Sequence, residues 1–187
     1  MGPLARPSIT ARGRATVVAT VALSAGAVLG LGGPAAALSR AARASTAGVS
    51  LALPAGWTSR SSAVTLTVAR SGADLGAAAP SHGRLTVRAL GCGAVDLNAI
   101  LTKDTATVTS VSAPTTISLA GHSAASITFT SNQHGRSVET QDVVMPLSRS
   151  RAYEFTLESA TANWSASSRA LLAIARTARF TSIARCP

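Results

Sequence analysis

The N-terminal segment of this chain has the composition of an export signal, and this constrains where the rest of the chain folds. Its basic residues, Arg6, Arg12 and Arg14, precede an apolar stretch over residues 15–31, and no acidic residue lies nearby. Positive charge, an apolar core and then small residues form the order of a secretory signal peptide. We therefore expect a secreted or cell-envelope protein that folds in an oxidising compartment.

Two small-residue sites of the form A-x-A follow the apolar stretch, the first ending at Ala37 and the second at Ala44. With the boundary at the second site, the sequence predicts a signal peptide over residues 1–44 and a single domain over residues 45–187. The alternative is an uncleaved membrane anchor. The apolar stretch has only 17 residues, the lower limit of length for a spanning helix. Many of these residues are Ala and Gly, which are less hydrophobic than Leu and Ile. We therefore expect no stable membrane span after cleavage.

The charge pattern of the domain argues against binding to nucleic acid. The whole chain has 17 basic and 7 acidic residues and a formal charge of +10, but 5 of the arginines belong to the export segment. The remaining basic residues are scattered, and aromatic residues make up only 3% of the chain. Nucleic-acid interfaces need a dense basic face, often with stacking aromatics, so we expect no nucleic-acid partner.

Alternation of apolar and polar residues predicts strands through most of the domain. The predicted strands are 49–53, 64–68, 84–90, 115–119, 124–130, 138–147 and 152–159. The last four strands are separated by short turns, which predicts an antiparallel meander.

Two segments have helical periodicity instead. Asp96 precedes a predicted helix over residues 97–108, and Thr161 or Asn163 is a candidate N-cap for a closing helix. Trp164 begins the apolar stripe of the closing helix, so we expect it to be a buried anchor. The sequence therefore predicts the α+β class, with an antiparallel sheet covered by helices.

Two short motifs resemble those of PsbP-like domains. One is the P-x-G-W sequence over residues 54–57, directly after the first predicted strand, and the other is the G-x-x-A turn that begins at Gly121. The region 49–183 is similar to the LpqN-like branch of secreted actinobacterial envelope proteins. The resemblance implies a PsbP-like α/β/α sandwich and a non-enzymatic binding or accessory role. Its implied partner is an envelope protein or an apolar envelope ligand.

The alternative function is that of a small envelope serine hydrolase that uses Ser123. Residues 121–125 approach the G-x-S-x-G nucleophile elbow, although Ala125 replaces the final glycine. An elbow needs a helix after the serine, whereas the residues that follow alternate like a strand. The only downstream histidine is His134, and no acidic residue lies between it and Ser123. We therefore predict a hairpin turn here and no catalytic residue.

No pattern indicates a metal or cofactor site, and we expect neither. His82, His122 and His134 fall in three separate predicted turns without the spacing of metal ligands. Glu154 and Glu158 lie four residues apart on one strand and therefore share a face. Such a pair resembles the carboxylates of glycosidases, but we expect ion pairs with arginines instead.

We predict a disulfide between Cys92 and Cys186, because they are the only cysteines of an exported chain. A bond that closes a loop of more than 90 residues stabilises the domain by about 4–5 kcal/mol in the chain-entropy account. Thiol titration of the denatured, non-reduced protein should therefore find no free thiol. Cys186→Ser should lower the Tm, and the double variant with Cys92→Ser should lower it equally. Two free thiols in the secreted protein would contradict the prediction.

Overall fold

Strands dominate the computed structural model of this chain, which describes residues 42–46, 48–90, 108–148 and 151–181. The strands of the described part are β1 (Ala42–Thr46), β2 (Val49–Leu53), β3 (Thr58–Ser61), β4 (Thr65–Ala69), β5 (Arg84–Leu90), β6 (Val108–Val111), β7 (Thr115–Leu119), β8 (His122–Gln133), β9 (Arg136–Ser148), β10 (Arg151–Ala160) and β11 (Arg179–Phe180). The helices are α1 (Gly72–Gly76), a 3-10 turn (Thr161–Asn163) and α2 (Trp164–Ala175). Among these described helices, none is long and apolar enough to cross a membrane.

The strands form two antiparallel sheets. The large sheet has the order β3-β4-β5-β10-β9-β8-β6, and β7 also pairs with β8. The small sheet has the order β1-β2-β11. The meander predicted from the sequence is confirmed, since β7, β8, β9 and β10 pair in chain order.

Tight turns set the register of the meander. Ala120 and Gly121 join β7 to β8 with φ of 50° and 84°, and His134 and Gly135 join β8 to β9 with φ of 51° and 76°. Two consecutive residues with positive φ characterise the type I′ turn, whose twist matches that of a hairpin. Each turn therefore reverses the chain within two residues, so that the two strands it joins pair as an antiparallel hairpin.

The core lies between one face of the large sheet and the layer formed by the small sheet and α2. Alternate residues of β10 point into it, and Tyr153, Phe155 and Leu157 are fully buried. Leu171 is 0% exposed and is the most deeply buried large residue of α2. Trp164, expected as the buried anchor, is half-buried and packs against the edge of this core.

The predicted side-chain cap of the closing helix is wrong. Asn163 does occupy the N-cap position, but its side chain makes no cap hydrogen bond. Instead, Asn163 Nδ2 donates to the carbonyl oxygen of Ser81 at 3.0 Å. Thr161 begins the 3-10 turn, and its hydroxyl forms a hydrogen bond with that of Ser137. The side chains of Asn163 and Thr161, which the local sequence assigns to capping, therefore form hydrogen bonds with distant residues instead.

Several short elements are absent from the sequence prediction. These are the strands β1, β3, β6 and β11, together with α1, which lies in a segment (71–83) that reads as a loop. Val108, assigned to a helix from the sequence, begins β6 because it pairs with β8. The rest of the helix predicted over 97–108 lies outside the described residues, and so do Cys92 and Cys186.

Strand β1 begins at Ala42, inside the segment 1–44 that the sequence analysis assigned to export. All five residues of β1 pair with β2, and Ala44 is only 8% exposed. Cleavage after Ala37 would retain this strand, whereas cleavage after Ala44 would remove most of it.

We predict that a chain beginning at Leu38 is more stable than one beginning at Ser45. The shorter chain loses most of the β1–β2 ladder and exposes an edge of β2, so we expect a loss of about 2 kcal/mol or more. Urea unfolding measures the difference. A chain that begins at Arg40 keeps the whole of β1 and should unfold like the Leu38 chain. Equal midpoints for the Leu38 and Ser45 chains would show that β1 contributes nothing.

Candidate functional site

An apolar groove lies between the end of β2 and the C-terminal half of α2. Its volume is about 350 Å³, at the small end of the range for ligand pockets. Its lining residues are Ala52, Leu53, Pro54, Trp57, Ala170, Ala173, Ile174 and Thr177. We call it the β2–α2 groove. Among these described residues, the hydroxyl of Thr177 and the indole N–H of Trp57 are the polar side-chain groups, so the groove offers mostly hydrocarbon to a ligand.

The turn after β2 forms one wall of the groove. The N–H of Trp57 donates to the carbonyl oxygen of Pro54 at 3.2 Å, which closes a four-residue turn. Gly56, the third residue of this turn, has a φ of 80°, a conformation that glycine adopts without strain. The turn brings Trp57 back beside β2, where it packs against the core and also lines the groove. The P-x-G-W motif is therefore the local reason for this wall.

Helix α2 and the residues after it form the other wall. Ala170, Ala173, Ile174 and Thr177 recur at spacings of three and four residues, so they share one face of the helix. Ile174 is 3% exposed and belongs to the core. Ala170 and Ala173 are exposed, and their small side chains leave the space that a larger residue would fill.

Thr177 ties the two walls together. Its Oγ1 accepts a hydrogen bond from the N–H of Ala52 at 2.8 Å and donates to the carbonyl oxygen of Ile174 at 2.7 Å. Strand β11 pairs with β2 only at Val49 and Ser50, so it does not reach Ala52. The hydroxyl of Thr177 therefore accepts the hydrogen bond that the backbone of a longer β11 would accept from Ala52.

Three arginines belong to α2, to its C-cap or to β1, the strand that pairs with β2. Arg43 is the cross-strand partner of Ala52, and its Nη2 donates to the carbonyl oxygen of Thr177 at 3.4 Å. Arg169 and Arg176 are exposed on α2 and at its C-cap. In the described residues of β1, β2, α2 and β11, no side chain is acidic.

The two glutamates of β10 are paired with arginines, as the sequence analysis expected. Glu158 lies 2.6 Å from Arg84, and Glu154 lies 2.6 Å from Arg88. Both pairs are cross-strand neighbours between β10 and β5. Because they alternate with the core residues of β10, they lie on the opposite face of the large sheet from the core.

The residues of the serine-hydrolase alternative do not come together. Ser123 is exposed in β8 opposite Ser118 of β7, and β8 continues as a strand after it. His134 lies eleven residues after Ser123, just beyond the other end of β8. At about 3.3 Å per residue, the strand separates these two residues by about 36 Å. His122 precedes Ser123 and makes an edge contact with Phe180, with ring centroids 5.8 Å apart. The strand-turn-helix geometry of a nucleophile elbow is therefore not present at Ser123.

One carboxylate–histidine contact has no counterpart in the sequence analysis. Asp74, which is 4% exposed, accepts hydrogen bonds from the N–H groups of Ser81 and His82 at 2.8 and 3.3 Å. Its Oδ2 also lies 3.4 Å from His82 Nδ1. These bonds hold the loop before β5 against α1. Across the described ranges, no three His, Cys, Asp or Glu side chains are grouped as metal ligands.

Comparisons with known proteins agree with this fold. No protein-family model matches the sequence, and no curated protein matches it. A crystal structure from Bacteroides thetaiotaomicron is similar with a TM-score of 0.50 and 8% identity, covering 72% of this chain and 46% of that one. This chain thus spans less than half the length of that protein.

Two further solved structures belong to the groups that the sequence motifs resemble. LpqN of Mycobacterium tuberculosis, described as involved in cell envelope biogenesis, has a TM-score of 0.47 and 16% identity, covering 78% of this chain and 88% of LpqN. CyanoP, the PsbP of Synechocystis sp. PCC 6803, has a TM-score of 0.47 and 13% identity, covering 81% of this chain and 99% of CyanoP. The fold that the resemblance implied, an antiparallel sheet covered by a helix in the α+β class, is the fold that the strand order and α2 show. At these identities the similarity concerns the fold alone.

We predict that Thr177→Val loosens the groove and destabilises the domain by about 1–3 kcal/mol, because it leaves the Ala52 N–H without its acceptor. Thr181→Val is the matched control, since Thr181 is exposed and its hydroxyl makes no hydrogen bond within the described chain. Urea unfolding measures both variants. A Thr177→Val midpoint equal to that of the control would show that the hydrogen bond is dispensable.

Proposed function

We propose that this protein is a secreted accessory domain of the cell envelope that binds an apolar ligand in the β2–α2 groove. The observation that carries the proposal is the groove itself, an open hydrocarbon surface beside a half-buried tryptophan. The basic residues at the N-terminus and the apolar stretch over residues 15–31 support a location outside the cytoplasm.

The side chains of the groove favour a ligand over simple packing. Exposed Ala170 and Ala173 leave Trp57 and Leu53 in contact with open space. Covering such a surface with a hydrocarbon gains about 25 cal/mol for each Å² of apolar area removed from water. The hydroxyl of Thr177 is already engaged in two hydrogen bonds. The part of the ligand that enters the groove is therefore apolar.

We further propose that the protein acts without catalysis. Among the described residues, the groove lining contains no carboxylate, imidazole, amine or thiol. Ser123 lies in an extended strand. Asp74 contacts His82, and the two glutamates of β10 pair with arginines. A binding role needs only the shape and the apolar character of the groove.

We predict that Ala173→Trp weakens binding of the neutral apolar dye N-phenyl-1-naphthylamine at least about tenfold, because the indole occupies the ligand's space. The exposed position on the helix should tolerate the larger side chain. Dye fluorescence, titrated on the exported protein, gives the Kd. Ser165→Trp is the matched control, since Ser165 is exposed on α2 outside the groove lining, and it should bind like the wild type.

Unchanged dye affinity in Ala173→Trp would contradict a binding role for the groove. The hydrolase alternative has its own readout in the same preparation. Covalent labelling by a fluorophosphonate probe that disappears in Ser123→Ala would replace the non-catalytic proposal.

A further inference from the structure

We infer that the ligand of the β2–α2 groove is a single-chain amphiphile with an anionic head group. The head lies beside Arg43 and Arg176, and the hydrocarbon chain extends towards Trp57. This inference rests on the proposed function, because it names the chemistry of the ligand for the same groove.

The charge of the surrounding layer is the first observation. Arg43, Arg169, Arg176 and Arg179 all belong to the small sheet or α2, and no acidic residue is present in the described parts of these elements. In the described chain, carboxylates pair with arginine only at Arg84 and Arg88 in the large sheet. The four arginines of the groove layer therefore have no carboxylate partner among the described residues. Their positive field attracts an anion.

Arg43 makes the Thr177 end of the groove polar. It lies across the sheet from Ala52 and contacts the carbonyl oxygen of Thr177. The Pro54–Trp57 turn, by contrast, has no charged side chain. A ligand with one charged end and one hydrocarbon end can therefore place its head beside Arg43 and its chain along the apolar lining.

The guanidinium of Arg43 has the donors that an anionic head requires. Its described hydrogen bonds, to Ser50 and Thr177, all use Nη2. Within the described structure, Nη1 and Nε make no hydrogen bond. Arginine binds carboxylate and phosphate groups with two parallel hydrogen bonds, so these donors can hold the head group.

The C-terminus of α2 does not oppose an anion at this end. The exposed carbonyl groups of a helix C-terminus carry partial negative charge. Here the carbonyl oxygen of Ile174 accepts hydrogen bonds from the backbone and side chain of Thr177. The carbonyl oxygen of Thr177 accepts from Arg43, and Arg176 stands at the C-cap. The helix end is therefore hydrogen-bonded and flanked by positive charge.

The size of the groove favours one hydrocarbon chain. Its volume of about 350 Å³ lies near the lower limit of small-molecule pockets, which is about 300 Å³. A ligand with two long chains would leave one of them outside the groove. The size of the groove and the position of Arg43 beside Thr177 therefore favour a single-chain anionic amphiphile.

The test compares two probes with equal chains and opposite charges, decanoate and decyltrimethylammonium, both below their micelle concentrations. Isothermal titration calorimetry on the chain that begins at Leu38, which retains β1 and Arg43, should give a Kd about tenfold lower for decanoate, the effect of one or two charge-assisted hydrogen bonds. Added salt should reduce this preference, because the arginines are exposed. The Arg43→Gln/Arg176→Gln variant should bind the two probes equally.

Two further variants separate charge from folding. Arg176→Gln alone removes a side chain that makes no hydrogen bond within the described residues, so it should weaken decanoate binding without changing the urea midpoint. Arg70→Gln removes an exposed arginine of another region and should leave the preference for decanoate intact.

The binding of the two probes and of the neutral dye separates failure of the anionic-ligand inference from failure of the proposed function. Equal affinity for the two probes in the wild type, or a preference that survives the double variant, would overturn the anionic ligand while the apolar-binding proposal stands. Failure of both probes and of the neutral dye to bind would overturn the proposed function itself.

Discussion

The burial of alternate side chains along β10 is the constraint on which the rest of this structure depends. β10 lies in the middle of the large sheet and pairs with β5 over seven residues and with β9 over ten. Tyr153, Phe155 and Leu157 point to one side and are fully buried there. Burial raises the pKa of the Tyr153 phenol above its ordinary value, so this ring stays neutral in the core. A shift of one residue in the register would exchange this apolar row for the two glutamates.

The same core positions the groove. Leu171 and Ile174 attach α2 to the core, and Leu51 and Leu53 attach β2. Thr177, directly after α2, connects the helix to β2 through the hydrogen bond that it accepts from Ala52. A groove remains where Ala, rather than a larger residue, faces the turn after β2. The site is thus a consequence of packing in one layer, without any specialised loop.

The two layers also divide the charges. In the large sheet, Arg84 and Arg88 form ion pairs with glutamates. The arginines of the small sheet and α2 have no carboxylate partner in the described structure. Positive charge that no carboxylate neutralises is available to a ligand.

Local pattern alone determined the elements whose signals are complete within a few residues. Alternation located 84–90 and 115–119 with the bounds that β5 and β7 have, and the turn residues at Gly121 and Gly135 located the hairpins. The sequence also led to the expectation that Glu154 and Glu158 pair with arginines, since the chain has few aromatic residues to stack a sugar ring. Only the tertiary structure decided that β1 and β6 are strands, since each is a short segment stabilised by a ladder with another strand. It also turned the side chain of Asn163 away from its helix and brought Ala173 beside the turn after β2. The groove is formed by residues more than one hundred positions apart, and no periodicity in a sequence reports which distant residues will share a layer.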